Sequence, residues 1–284
     1  MGATSGPTAS LRTALAGAVR SRVAGDAPDT SIFTARGPRW FPEGAAIRTV
    51  HADAAMFVGG LRALVLQSLH PLAMAGVAGH SGYRGDPWGR LQRTSQYLAA
   101  TTFGSVDVAE RAVTRVRTIH DNVRGTAPDG RAYRASDPHL LRWVHISEVD
   151  SFLRAHRRFG ARPLTPEQRD EYVAEVGFVA AKLGVLDPPQ SVTELGEALA
   201  VYRPELRGTR EARDTARFLL FNPPIPLLAR PAYGLIATAA VSMLPPWARG
   251  MLHLPPPLPI ADDLVGQLAG ELATRAFRWT LTAS

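Results

Sequence analysis

Helical segments separated by proline and glycine make up most of this sequence, and this pattern restricts the folds open to it. The chain has 23 prolines and 25 glycines, and most fall between segments whose apolar residues recur at helical spacing. Alternating apolar and polar runs, which are typical of half-buried strands, are scarce, and so are hairpin turns. The sequence therefore predicts an all-α protein.

The chain is predicted to form one large helical domain preceded by an arm. Residues 1–44 are predicted to form this arm and lead-in segment, in which the spacing of Leu11, Leu15 and Val19 predicts a short amphipathic helix. Residues 45–284 are long enough to form a single globular multi-helix domain with a sizeable core.

Caps and helix breakers give approximate boundaries. His70-Pro71 is predicted to kink or restart the first long helix, because proline removes a backbone donor. Asp262-Asp263 is predicted to cap the last one. Residues 126–134 are expected to be a turn-rich loop, and 222–231 and 245–259 to be proline-rich connections. The predicted helices are 46–69, 72–78, 88–102, 106–123, 138–159, one opening at 165–167, 191–202, 210–221, 233–243 and 263–283.

The absence of cysteine narrows the available chemistry. A chain with no cysteine has no disulfides, no thiolate metal site and no covalently attached c-type haem. Any metal must be held by His, Asp, Glu or Tyr. The motifs H-E-x-x-H, G-x-S-x-G, the P-loop and G-x-G-x-x-G are also absent, which argues against zinc protease, hydrolase, kinase and dinucleotide-binding functions.

The net charge of +7 comes almost entirely from arginine, with Lys182 as the single lysine. These arginines are scattered and locally matched by acidic residues, which favours a solvated basic surface over nucleic-acid binding. No secretory signal is visible, and the apolar stretches 54–79 and 232–244 read as buried core helices rather than membrane spans. A cytoplasmic protein is therefore expected.

Among the eight histidines, His120 stands out. Helical spacing places it on the same face as Val113, Val116 and Val123. A neutral imidazole on an apolar helix face can ligate haem iron, although periodicity alone fits a buried, hydrogen-bonded histidine as well. Arg90 and Thr94, four residues apart, share another helix face. They are able to pair with a propionate or simply to form an ordinary surface.

These residues lie within a longer pattern. The strings LHPLAMAGVAGHSGYRGDPWGRLQRT, TIHDNVRG and YRASDPHLLRWVH occur in this order. Together they resemble the oxygenase superfamily that includes latex clearing protein and the MpaB-type oxygenases. The resemblance implies a b-type haem ligated by His120, with Arg90 and Thr94 close to the porphyrin.

The sequence also departs from that family. Some latex clearing proteins have a lysine just before the motif threonine, where this chain has Arg93, a poor iron ligand. No counterpart of the glutamate proposed as a base in that enzyme is evident, and no membrane anchor like that of the fungal MpaB-type proteins is visible. Rubber cleavage is therefore not carried over.

Further candidates surround this motif. His70 and His80 are predicted to line the distal pocket or to donate to a propionate, although a helix-kink role suits His70 equally well. Tyr97 and Tyr83 are candidate donors near the cofactor. Four further histidines and one tryptophan are expected to be core, structural or exposed residues: His139, Trp143, His145, His156 and His253.

The resulting hypothesis is a globin-like helical domain that encloses haem b. It would act as an oxygenase on an apolar substrate, isoprenoid or polyketide-like, with a possible electron donor as partner. Two alternatives stay open: a non-catalytic haem-binding or gas-sensing protein, and a haem-free helical binding protein.

Overall fold

The computed structural model describes residues 31–80 and 87–281, and these form an all-α fold with one small hairpin. The α-helices are α1 (Ser31–Thr34), α2 (Ala46–His51), α3 (Ala55–Gln67), α4 (Pro71–His80), α5 (Pro87–Phe103), α6 (Val106–Asn122), α7 (Pro138–Phe159), α8 (Pro166–Leu183), α9 (Val192–Tyr202), α10 (Arg210–Phe221), α11 (Arg230–Ser242), α12 (Pro246–Leu252) and α13 (Pro259–Leu281). Short 3₁₀ turns occupy Arg203–Glu205 and Leu227–Ala229. The amphipathic helix expected near Leu11 and the loop that contains Tyr83 lie outside the described residues.

Helix α7 is the centre of the molecule, and α3 packs along it. Asp137 caps its first turn by accepting from the His139 backbone N–H at 2.9 Å, ahead of a proline at the first helical position. Trp143 and Ile146 on α7 are fully buried. Helix α8 begins with a capping box, in which Thr165 and Gln168 bond reciprocally. The core therefore forms around α7, which α2 and α8 also contact.

The predicted break at His70-Pro71 is confirmed, since α3 and α4 meet there at 105°. Proline cannot continue the α3 hydrogen-bond ladder, so a new helix starts, with the His70 carbonyl accepting from Met74 N–H at 2.9 Å. The apolar stretch 54–79, which the sequence predicts to be core, spans this bend. In the described part of the chain no single helix meets the length and hydropathy of a membrane span. The α3–α4 pair meets them only when both helices are taken together across that bend.

The single helix predicted for 46–69 is wrong, because it is divided into α2 and α3. Asp53 lies at the break and its carboxylate accepts from the Ala55 backbone N–H at 2.7 Å, a local bond that competes with the helix ladder. The same carboxylate accepts from Ala161 N–H at 2.9 Å and from Arg278 at 2.9 Å. Tertiary partners therefore fix a break that periodicity does not show.

Three other expectations need correction. Residues Arg124–Thr126 and Ala132–Arg134 pair as an antiparallel hairpin rather than forming only a loop. The second proline-rich connection contains α12, whose first helical residue is a proline. Asp262 and Asp263 lie inside α13 rather than capping it, and they pair with Arg249 and Arg158 on other elements.

The contact between α3 and α7 depends on a glycine, and this gives a stability prediction. A Cβ on Gly59 would lie 2.8 Å from Phe152 Cδ1 and 3.0 Å from the Ser151 carbonyl oxygen, whereas one on Gly60 would lie 3.7 Å from its nearest neighbour. We expect Gly59→Ala to lower the free energy of unfolding by about 1–3 kcal/mol through overpacking. Gly60→Ala, the control, should be neutral or stabilising by about 0.5–1 kcal/mol. Urea unfolding of both variants measures the difference in their free energies of unfolding. If the two substitutions had equal effects, α3 would not approach α7 closely at Gly59.

Candidate active site

His120 lies in the last turn of α6, which packs against α5 and α8. Its ring is partly buried, and its Nδ1 atom is buried with no hydrogen-bond partner among the described residues. Burial lowers the pKa of His120, although Asp121 opposes this shift. Val113 on the same face is buried and Val116 is half-buried. An imidazole that burial keeps neutral, with one nitrogen lacking a partner among the described residues, thus lies on this face of α6.

Helix α5 carries the Arg-x-x-x-Thr motif. Thr94 is exposed, and Tyr97, one turn further along, is half-buried against the core. Burial, aided by the charge of Glu148, raises the pKa of Tyr97, so its hydroxyl stays protonated and able to donate. Arg90 lies on α5 in step with these two residues, but its side chain is outside the described residues. The same holds for the side chain of His80, at the end of α4.

A face of α7 that the sequence analysis did not single out carries two ionisable groups, His145 and Glu148, three residues apart. His145 is buried, its Nε2 has no partner among the described residues, and burial lowers its pKa to about 4, with Arg142 adding to the shift. Burial raises the pKa of Glu148 to about 7. One signal was available: both residues occur at helical spacing between Leu141 and Phe152, which are buried.

Between α2, α5 and α8 lies a buried hydrogen-bonded chain centred on His51. Its Nδ1 is 2.8 Å from Thr102 Oγ1 and its Nε2 is 3.3 Å from the Tyr172 hydroxyl. Burial lowers the pKa of His51 to about 3, so the ring is neutral and both its nitrogens are occupied. The charge of Glu148, after burial itself, raises the pKa of Tyr172. His51 therefore organises the interior and is not free to ligate a metal.

His70 belongs to a different neighbourhood. It is buried at the α3–α4 junction, with its ring 6.0 Å from that of His139 and its Nε2 3.4 Å from Glu205 Oε2. Within the described part of the chain, no hydrogen bond or ring contact joins it to Tyr97 or His120. A role for His70 beside the cofactor stays a prediction, while its place at the kink is evident.

Comparison with known families gives this arrangement a context. The family model described as "ER-bound oxygenase mpaB/B'/Rubber oxygenase, catalytic domain" matches residues 48–282. The chain belongs to this family. It is accordingly an oxidoreductase of the oxygenase type, with a small molecule as substrate. A search of curated proteins found no match, and neither did a search of solved structures.

The residues present in this MpaB/rubber oxygenase chain fit a haem group. An axial ligand must be an unprotonated nitrogen. His120 meets this requirement, because burial lowers its pKa and its Nδ1 has no partner in the part of the chain that the structure describes. The exposed Thr94 hydroxyl and the protonated Tyr97 hydroxyl are donors suited to anionic groups. Glu148, with a pKa near 7, adds a carboxyl that exchanges its proton at neutral pH.

The raised pKa of Glu148 predicts a pH-dependent stability difference. Its pKa is 4.5 in the unfolded chain and about 7 in the fold, so its contribution is fully present below pH 4.5 and is lost as the pH rises through 7. The free energy of unfolding of Glu148→Gln, measured relative to that of the parent chain, should therefore rise by about 2–3 kcal/mol as the pH is raised from 5 to 8. Urea unfolding at both pH values measures this, with the exposed Glu197→Gln as control. A difference that does not change with pH would contradict the assignment.

Proposed function

We propose that this protein is a haem b-dependent oxygenase that acts on an apolar substrate, with His120 as the iron ligand. The single observation that carries the proposal is a buried nitrogen of His120 that has no hydrogen-bond partner among the described residues. This histidine stands in the string TIHDNVRG of the family-like pattern, and residues 48–282 match an oxygenase family. Haem, when bound, supplies the activation of dioxygen or peroxide.

The protein's own residues position the group and the substrate. His120 would hold the iron, and Val113, two turns earlier on the same face of α6, would add apolar surface to it. Arg90 and Thr94, by their place in the motif, would hold the propionates through a charge-assisted and a neutral hydrogen bond. Tyr97 would donate a further hydrogen bond from a hydroxyl that stays protonated.

Glu148 would handle protons. Because burial raises its pKa to about 7, the carboxyl group is present in both its protonated and its ionised form near neutral pH. General acid–base catalysis requires this. Glu148 makes no hydrogen bond to another described residue, so no partner competes for its proton.

The test starts from the full chain produced in haem-supplemented cells. We expect a strong Soret band at one haem per chain. With an electron source, oxygen and an isoprenoid such as squalene, we expect oxygen uptake above autoxidation and an oxygenated product detected by mass spectrometry. A Soret band without substrate-dependent uptake for any apolar compound would instead favour a gas-sensing protein. A colourless protein that does not take up hemin would favour a haem-free binding protein.

A further inference from the structure

A second group of ligating side chains lies outside the proposed haem site. His70, His139 and Glu205 each offer one ligand atom, and these three atoms lie within 4.8 Å of one another. Both imidazole Nε2 atoms face the same carboxylate oxygen, Glu205 Oε2, at 3.4 Å from His70 and 2.8 Å from His139. We propose that His70, His139 and Glu205 form a binding site for a divalent first-row transition metal ion such as Zn²⁺.

The donor set fits this class of ion. Two imidazole nitrogens and one carboxylate oxygen are borderline ligands that suit Zn²⁺ and its neighbours rather than Ca²⁺ or Mg²⁺. Ligands at about 2.0–2.2 Å from a tetrahedral ion lie roughly 3.3 Å apart. Two of the observed separations are within 0.5 Å of that value, and the third is no more than 4.8 Å.

The three ligands come from separate parts of the chain that other bonds already hold together. His70 precedes α4, His139 is in the first turn of α7, and Glu205 ends a 3₁₀ turn. Arg207 N–H donates to the Leu69 carbonyl at 2.8 Å, which fastens the segment after Glu205 to the residue before His70. An ion at this place would cross-link three elements at the 105° bend between α3 and α4.

The surroundings of His139 also suit a metal ligand. The Tyr202 ring stacks on that of His139 at 4.5 Å, and its hydroxyl is 3.2 Å from His139 Nδ1, the nitrogen that faces away from Glu205. Such outer contacts orient metal-ligating imidazoles. The exposed sides of His139 and Glu205 leave an entry path for the ion and room for water as further ligands.

The proposal is tested on the full chain after treatment with a chelator, by titrating Zn²⁺ against a chromophoric competitor. We expect one ion per chain at this site and a Zn²⁺-dependent rise in melting temperature. Glu205→Gln and His139→Asn should weaken binding by roughly 100-fold or more, because loss of an outer contact alone costs about 10- to 100-fold. Both positions are partly exposed, and circular dichroism checks that the variants fold.

Matched controls separate this site from the proposed haem site. Glu197→Gln and His253→Asn remove an exposed carboxylate and an exposed imidazole elsewhere, and Asn tolerates the left-handed backbone at position 253. Neither should change Zn²⁺ affinity, and His120→Ala should not either. Co²⁺ should give visible ligand-field bands that Glu205→Gln abolishes. Unchanged affinity in Glu205→Gln and His139→Asn would overturn the proposal and leave a hydrogen-bonded network only.

Discussion

If His120 is the iron ligand, as proposed, replacing it by alanine is expected to weaken hemin binding by roughly 100-fold or more, because the iron would lose that ligand. The Soret band of the purified variant should be lost or shifted. The fold should survive, since His120 lies in the last turn of α6, is only partly buried and makes no hydrogen bond through Nδ1 with any described residue. Hemin titration followed by absorbance and circular dichroism measures both effects.

Two comparisons make this result specific to ligation. Free imidazole added to the His120→Ala protein should restore a haem spectrum by occupying the space left by the side chain. His145→Ala is the matched control, because His145 also has a buried nitrogen without a partner among the described residues. If His145→Ala removed the haem spectrum and His120→Ala did not, the ligand would be His145 on α7 and the assignment of His120 would be wrong.

Replacing Asp150 by alanine is expected to lower the free energy of unfolding by about 3–5 kcal/mol. Asp150 pairs with Arg62 at 2.8 Å, and the Arg62 side chain is only 2% exposed. Arg62 also donates to Ser151 Oγ at 2.7 Å and to the Met243 carbonyl at 3.0 Å. Removal of the carboxylate would leave a buried guanidinium charge without its counter-ion, and these two neutral acceptors only partly compensate for it.

A second partner of the Asp150 carboxylate provides the control. Arg154 pairs with Asp150 at 2.7 Å but is 55% exposed, so Arg154→Ala should cost no more than about 0.5 kcal/mol. The double variant Arg62→Met with Asp150→Ala removes both buried charges and should recover most of the loss. Equilibrium urea unfolding compares the three. An Asp150→Ala protein no less stable than Arg154→Ala would show that water reaches Arg62.

Local signals in the sequence predicted most of the helices. Asp137 before Pro138 and Thr165 before Pro166 place the starts of α7 and α8 because a cap and a proline act within one helical turn. The break at His70-Pro71 followed from the missing proline donor. The break at Asp53 was missed because its partners include Ala161 and Arg278, which are distant in sequence.

For the candidate site, the sequence by itself determined the family pattern and the helix face that carries His120, since both depend on the order and spacing of residues along one chain. Only the tertiary structure decided which ionisable groups lose their water. Burial shifts the pKa of Glu148 to about 7 and that of His145 to about 4. The packing of the elements brings His70 close to His139 and Glu205. Desolvation and these contacts arise from packing between helices far apart in the chain. The spacing of His145 and Glu148 shows that they share a helix face, but not that this face is buried.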